Sequence, residues 1–442
     1  MGTGSVRRVQ VTPAGPLKGE LTLPGDKSIT HRALILGSLA DGISEIAGVL
    51  RSQDCLSTAK AFGAMGVVVE ENGDNRLRIQ GCGPPGLREP EQVLDVGNSG
   101  TTMRLLAGVL AGKPFFSVLT GDRYLRQRPM ARVVAPLRSM GAAILGRDGG
   151  NLPPLAIKGT RLRGIDYTSP IASAQVKSAI LLAGLFAEGE TAVTEPSLSR
   201  DHTERIFQEV GLPMRRDGLR VSVHGVERIP AFALSIPGDF SGAAFFLVAA
   251  LVIPGSELII RGVGINPTRT GLLDALGAMG AAIQVNRPRV VSGEPVADLL
   301  VRSQQLHGTE ISGSLIPRMI DEIPAFAVAA AVASGESVIR DAAELRVKEV
   351  DRLAAMAKEL RRFGAELEER PDGLLLRGNA VLSGCDCDSW GDHRMAMALT
   401  VAGLAARGST RISDAACVSS SFPDFWERLN AILPGSAEAS EG

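Results

Sequence analysis

The sequence predicts an α/β protein in two domains. Three observations carry this: one pattern recurs six times, its helices are apolar over most of their surface, and short β-like stretches separate them. Each copy opens on a polar loop with Gly, Ser, Asp or Arg and runs into a helix of small apolar residues. A β-like stretch follows, then a second helix that usually ends near Met-Gly or Phe-Gly.

The first copy runs from GDKSITHRALILG to AFGAMGVVVE, the second from NSGTTMRLLAGVLAG to PLRSMGAAI, and the third from SAQVKSAILLAGL to IFQEVGLPM. The fourth runs from GDFSGAAFFLVAALV to ALGAMGAAI, the fifth from DEIPAFAVAAAVASG to ELRRFGAEL, and the sixth from GDHRMAMALTVAGL to FWERLNAIL. The loop-to-helix joints fall near Ser28, Thr101, Ser173, Ser241, Glu322 and His393, spaced 68 to 81 residues apart. Stretches such as RLRIQG, PFFSVLTG, LAIKGT, RVSVHG, SELIIRG and LLLRGN read as strands. Helices such as RLLAGVLAG and AAFFLVAALV are apolar all round, which predicts burial between sheets and not on a surface.

Six units divide as three and three. PGDF at 237–240 is a candidate crossover, with a single long α/β protein without a hinge as the alternative, and the opening strand VQVTPAG precedes the first unit and can pair with the C-terminal half. The expected domains are therefore 1–23 with 241–442, and an inserted 24–240, with the substrate cleft between them. A chain of 442 residues suits two cores. Only 4% of residues are aromatic and 51 are Gly, so the core must be aliphatic with closely packed helices.

With 47 basic and 48 acidic residues the net charge is −1, which argues against nucleic-acid or membrane partners. Five cysteines make no disulfide framework, and Cys385 and Cys387 in SGCDCDSWGD read as a solvated loop without a metal. The opening MGTGSVRRVQVTPAG has no apolar core of a signal peptide, and no run is long enough to span a membrane, so a cytoplasmic protein is expected. GNSGTTMR lacks the P-loop pattern and no GxGxxG opens a βαβ unit, so no nucleotide or nicotinamide cofactor is expected.

Charge placement is more informative than net charge. The unit openings carry Lys27, Arg32, Arg104, Lys177, Arg200 and Arg394, and other loops add Arg126, Arg128, Arg346, Lys348 and Arg352. Helix N-termini already favour anions, and Arg binds phosphate or carboxylate bidentately. A small substrate with several negative charges would neutralise such a set. Two acids stand among the bases. Asp321 lies just before a helix, where it reads either as a catalytic base or as a first-turn acid. Glu349 reads either as catalytic or as part of a helix-face salt bridge with Arg346 and Arg352, if that segment is helical.

The motifs LPGDKSITHRA, GNSGTTMRL, GDRYLRQRPM, SAQVKSAILLAGL, RVKEVDRL, GDHRMAMAL and SFPDFW, in this order, resemble those of the 3-phosphoshikimate 1-carboxyvinyltransferases, or EPSP synthases, of the enolpyruvyl transferase family. The resemblance covers residues 8–430. It implies a two-domain inside-out α/β barrel, each domain of three βαβαββ units about a pseudo-threefold axis. It implies transfer of the enolpyruvyl group of phosphoenolpyruvate to the 5-hydroxyl of shikimate 3-phosphate through a tetrahedral intermediate, without metal or cofactor, by a monomer, with glyphosate as a competitor.

By resemblance the catalytic residues are Lys27, Asp321 and Glu349. Phosphoenolpyruvate falls to Lys27, Gly100, Arg128, Arg352 and Arg394. Shikimate 3-phosphate falls to Lys27, Ser28, Arg32, Ser173, Gln175, Arg200, Asp321 and Lys348. His393 either contributes or only orients its loop. The empty domains are expected to stay apart and to close on shikimate 3-phosphate. Ala174 stands where many members have Ser, Leu105 where Pro is frequent, and Ser420 where many carry Lys; these changes resemble the less glyphosate-sensitive branch. Gly100 keeps the space that Ala fills in insensitive members. The sister activity, UDP-N-acetylglucosamine 1-carboxyvinyltransferase, usually has a reactive Cys in the Arg-rich loop, and TGDRYLRQRPM has none. A non-catalytic pathway-complex protein would need lost catalytic side chains, yet these are present. An RNA-binding or RNA-end-processing protein of related repeat architecture is disfavoured by near-neutral charge and the lack of aromatic platforms.

Overall fold

Six helices of the repeats begin within one residue of the six joints read from the sequence: Lys27–Leu39, Gly100–Ala111, Ala174–Gly184, Phe240–Val252, Ile323–Val332 and His393–Ala405. The reason is local. Asp26, Ser99, Ser173, Asp239 and Asp392 precede five of them and accept backbone N–H groups of the first turn. The fifth helix instead has Pro324 in its first turn, where a missing N–H costs nothing. This computed structural model describes residues 8–73 and 75–440. The opening stretch MGTGSVR therefore lies outside the described residues.

These inner helices are buried on nearly every side; twelve of the thirteen residues of Phe240–Val252 are buried. Small residues permit the packing. A Cβ on Gly108 would lie 2.2 Å from the carbonyl oxygen of Ala179, so the second and third inner helices meet backbone to backbone there.

Among the described residues, six four-stranded sheets share one order. An outer strand runs parallel to its neighbour, that neighbour is antiparallel to a third strand, and a fourth flanks the third. Three strands are borrowed from distant sequence. Ala233–Ser235, after the third repeat, runs parallel to Asp41–Ala47 in the sheet of the first. Lys18–Thr22 runs parallel to Glu257–Gly264 in the sheet of the fourth. Arg8–Val11 sits between Thr410–Ser413 and Ala437–Ser440 in the sheet of the sixth, with Val9 opposite Ile412.

The chain divides into two compact units. One runs to Pro24, resumes over Gly238–Arg289 and continues from Pro295; the other holds Gly25–Pro237 and Val290–Glu294. Each has its own hydrophobic core. The core of the first is not purely aliphatic as expected: the Phe425 ring lies 5.4 Å from those of Phe246 and Phe422. The small second segment is tied in by its own bonds. His202 Nδ1 lies 2.7 Å from Glu294 Oε1, and Arg205 donates to the carbonyl of Gly293 at 2.9 Å.

Two local expectations fail. Glu349 lies on no helix: Ala343–Val347 forms a 3₁₀ turn, Lys348 is extended, and the helix begins at Arg352 behind the N-cap Asp351. Arg346 donates instead to Asp351, Glu369 and the carbonyls of Arg370 and Pro371, which fastens its own loop. Cys387 is not in a solvated loop. It is buried in the strand Asp386–Asp388, opposite Ile412. Among the described residues no helix is long and apolar enough to cross a membrane.

Candidate active site

In the unit of residues 25–237, Lys27 opens the first inner helix and its Nζ lies 2.5 Å from Asp54 Oδ2. One turn on, Arg32 is buried. It donates to the carbonyl of Ser28 at 2.9 Å and to the hydroxyls of Thr203 and Ser178 at 2.7 Å. Burial lowers its pKa to about 10, still far above neutrality, so it remains a cation. Gly100 opens the second inner helix. A Cβ there would sit 2.8 Å from Arg104 Nη1 and 2.9 Å from Arg128 Nη1, so two guanidinium groups flank the helix start.

Arg104 donates to Gln175 Oε1 at 2.7 Å, and Gln175 donates to Thr101 at 3.0 Å, which fixes the amide's orientation. Ser173 caps the third inner helix, and its backbone N–H donates to Glu195 Oε1 at 3.0 Å. Lys177, one turn along, is not a cation awaiting substrate. It is buried between Glu195 and Glu204 at 2.7 and 2.6 Å. Burial alone would lower its pKa; Glu204 and Glu195 outweigh that and raise it. Arg200 is half-buried in the loop before helix His202–Glu209.

In the other unit, Arg352 gathers three carboxylates. Its Nε lies 2.7 Å from Asp392, one Nη lies 2.6 Å from Glu349, and the other lies 3.2 Å from Asp321. The guanidinium is 1% exposed. Burial opposes its charge, and Asp392, Glu349 and Asp321 together raise its pKa above the ordinary value. Asp392 is also the N-cap of the sixth inner helix, accepting from Arg394 N–H at 2.8 Å. One buried carboxylate thus fixes both Arg352 and the helix start that presents His393 and Arg394.

Arg394 Nε lies 3.6 Å from Asp321, and its Nη1 donates to the Asp321 carbonyl at 3.3 Å. Lys348 lies 3.9 Å from Glu344. Burial lowers its pKa, with Asp321 and Glu344 acting in the opposite sense. His393 Nδ1 lies 3.2 Å from the Ser420 hydroxyl, which ties the helix start to the loop at Ser420. Among the described residues no group of three His, Cys, Asp or Glu is placed to hold a metal ion.

Each unit therefore presents cations, small residues and helix starts, an arrangement suited to phosphate and carboxylate ligands. Comparison with known proteins decides the family. The model of the family described as EPSP synthase (3-phosphoshikimate 1-carboxyvinyltransferase) matches residues 11–429. The chain belongs to the EPSP synthase family. It is 56% identical over 420 residues to the 3-phosphoshikimate 1-carboxyvinyltransferase of Geobacter sulfurreducens, covering 95% of this chain and 98% of the relative. It is 57% identical over 424 residues to that of Desulforudis audaxviator, covering 96% and 99%. A solved EPSP synthase from Acinetobacter baumannii superposes with a TM-score of 0.87 at 42% identity, covering 98% of this chain and all of that one.

Residues that sequence reading missed are the partners of these cations: Asp54, Glu195, Glu204 and Asp392. Asp392 alone left a usable signal, since an Asp directly before a helix start is a cap. The others lie far in sequence from the groups they hold.

Proposed function

We propose that the chain transfers the enolpyruvyl group of phosphoenolpyruvate to the 5-hydroxyl of shikimate 3-phosphate, with phosphate released, on the way to chorismate and the aromatic amino acids. The family carries the reaction. The observation that supports the residue roles is the fan of Asp321, Glu349 and Asp392 around one buried guanidinium of Arg352.

In the addition step the 5-hydroxyl oxygen bonds to C2 of the enol and C3 gains a proton. In the elimination the C3 methyl loses one of its three protons, the C2–O bond to phosphate breaks and the double bond returns. A base is needed at the hydroxyl, an acid and then a base at C3, and fixed cations at the anionic groups. We assign Asp321 to the hydroxyl and Glu349 to the C3 proton. Lys27 bridges both substrates. Gly100, Arg128, Arg352 and Arg394 bind phosphoenolpyruvate. Ser28, Arg32, Ser173, Gln175, Arg200 and Lys348 bind shikimate 3-phosphate, with Asp321 and Lys27. Ala174 leaves that phosphate one hydroxyl fewer, and Arg200 compensates.

Glyphosate competes for the phosphoenolpyruvate site, and the protein acts in the cytoplasm as a monomer. The test is phosphate release from phosphoenolpyruvate with shikimate 3-phosphate or UDP-N-acetylglucosamine as acceptor, with product mass. Release with shikimate 3-phosphate alone, giving a product heavier by one enolpyruvyl group, is expected. Release with the nucleotide sugar alone assigns the sister activity instead.

A further inference from the structure

A groove of about 300 Å³ lies in the first repeat, between helix Gln53–Gly63 and the strands Val68–Glu71 and Arg76–Cys82. Its volume is at the lower end for small-molecule sites. The bed is aliphatic, with Leu34, Val49, Ala59 and Leu77 among its lining. The rim is not. Arg51, Lys60 and Glu71 stand at its edge, and Arg51 Nη2 lies 3.2 Å from Glu71 Oε2 with both side chains well exposed. An exposed pair of this kind is held weakly and exchanges partners readily. Two cations and one anion over an apolar bed complement a zwitterion with an apolar tail.

The same helix reaches Lys27. Cys55 lines the groove, and its Sγ lies 3.8 Å from the Lys27 carbonyl oxygen. Its neighbour Asp54 pairs with Lys27 Nζ. One turn on, Thr58 lies 2.7 Å from His31 Nδ1 in the first inner helix and 2.7 Å from Thr102 in the second. A ligand that moves helix Gln53–Gly63 therefore moves the carboxylate that sets the Lys27 ammonium.

We propose that this groove is an effector site for an α-amino acid with a large apolar side chain. Its carboxylate lies on Arg51 and Lys60, its ammonium on Glu71 and its side chain on the aliphatic bed. Occupancy lowers turnover through Asp54 and Lys27. The effect on turnover rests on the catalytic role proposed above for Lys27; the binding does not.

The probe is L-phenylalanine, first by calorimetry or ligand-observed NMR on the full chain without substrates. Saturable binding with Kd on the order of 1 mM or tighter is expected, weakened at least about tenfold in R51A/K60A and in E71Q. These exposed side chains leave the fold intact, which thermal unfolding checks. Equal binding by 3-phenylpropionate, which lacks the ammonium, or by phenethylamine, which lacks the carboxylate, overturns the assignment. So does binding that survives Ala59→Trp in a folded protein, or no binding by any of the three. In the assay, L-phenylalanine is expected to lower kcat without competing with either substrate. Competition with phosphoenolpyruvate would place it in the catalytic site and overturn the proposal, whereas inactivity of the protein with all acceptors would leave the binding result standing and remove the catalytic reading.

Discussion

Lys177 Nζ lies 2.7 Å from one oxygen of Glu195, while the other oxygen of that carboxylate accepts the backbone N–H of Ser173. A buried ammonium thereby fixes the loop proposed to hold the phosphate of shikimate 3-phosphate without touching the ligand itself. Lys177→Met leaves Glu195 and Glu204 facing each other with no cation between them. Removing one partner of such a buried set costs about 3–5 kcal/mol. The variant should unfold at clearly lower urea, and its KM for shikimate 3-phosphate should rise more than its KM for phosphoenolpyruvate. Equal changes in both would reduce Lys177 to a purely structural residue.

The roles proposed above separate the carboxylates on Arg352 into two kinds. Asp321→Asn and Glu349→Gln keep the shape and a polar contact to Arg352 but cannot carry the proton, so kcat should fall about 10²–10⁴-fold. Glu349→Gln should also suppress solvent deuterium exchange into C3 during turnover. Asp392→Asn removes the buried counter-charge and should act mainly on stability. If Glu349→Gln exchanges deuterium at the wild-type rate, the C3 proton belongs to another residue.

Gly100→Ala probes the two guanidinium groups beside it. The added methyl would meet Arg104 and Arg128 at 2.8–2.9 Å, and only the flexible tips of those side chains can yield. One methyl group in a filled site discriminates by roughly 10–200-fold. The inhibition constant of glyphosate should rise tenfold or more, in the ordering read from the sequence, with a smaller rise in KM for phosphoenolpyruvate. An unchanged inhibition constant would remove Gly100 from the inhibitor's site.

Lys113 makes stability depend on pH in an unusual direction. It is 2% exposed, stacks 3.5 Å over the Phe186 ring and donates to the Pro84 carbonyl. Burial lowers its pKa to about 7. Between there and the ordinary lysine value of about 10.4 the unfolded chain binds the extra proton, so this group adds stability as pH rises through that window. The slope is at most about 1.4 kcal/mol per pH unit. Urea titrations between about pH 7 and pH 9 should show the rise in wild type and a flatter line in Lys113→Met. Parallel lines would mean that Lys113 keeps its proton in the fold.

The repeat was legible because each copy writes its own start: Asp26, Ser99, Ser173, Asp239 and Asp392 are local signals, and a helix cap acts over three residues. The stretch VQVTPAG precedes the first copy, which left it able to pair with the C-terminal half; its strand, Arg8–Val11, lies between Thr410–Ser413 and Ala437–Ser440. What stayed hidden is pairing across sequence. Nothing near Lys27 points to Asp54, and nothing near Lys177 distinguishes it from Arg32, although one cation is capped by two carboxylates and the other only by hydroxyls and a carbonyl. Spacing at 346, 349 and 352 suggested one helix face, but Lys348 is extended and breaks it.

Arg8–Val11 pairs with strands that lie some 400 residues downstream, so the chain imposes a timetable on its own synthesis. At ~5–20 residues per second the first strand leaves the ribosome about 20–80 s before Thr410 exists to receive it. Residues 25–237, by contrast, have nearly all their partners as soon as they emerge. Ribosome-stalled chains ending near residue 320 should yield a protease-resistant core from this stretch while the segment around Val9 is still cleaved. A nascent chain whose first strand is already protected at that length would have found a temporary partner, a place where a holdase would otherwise be needed.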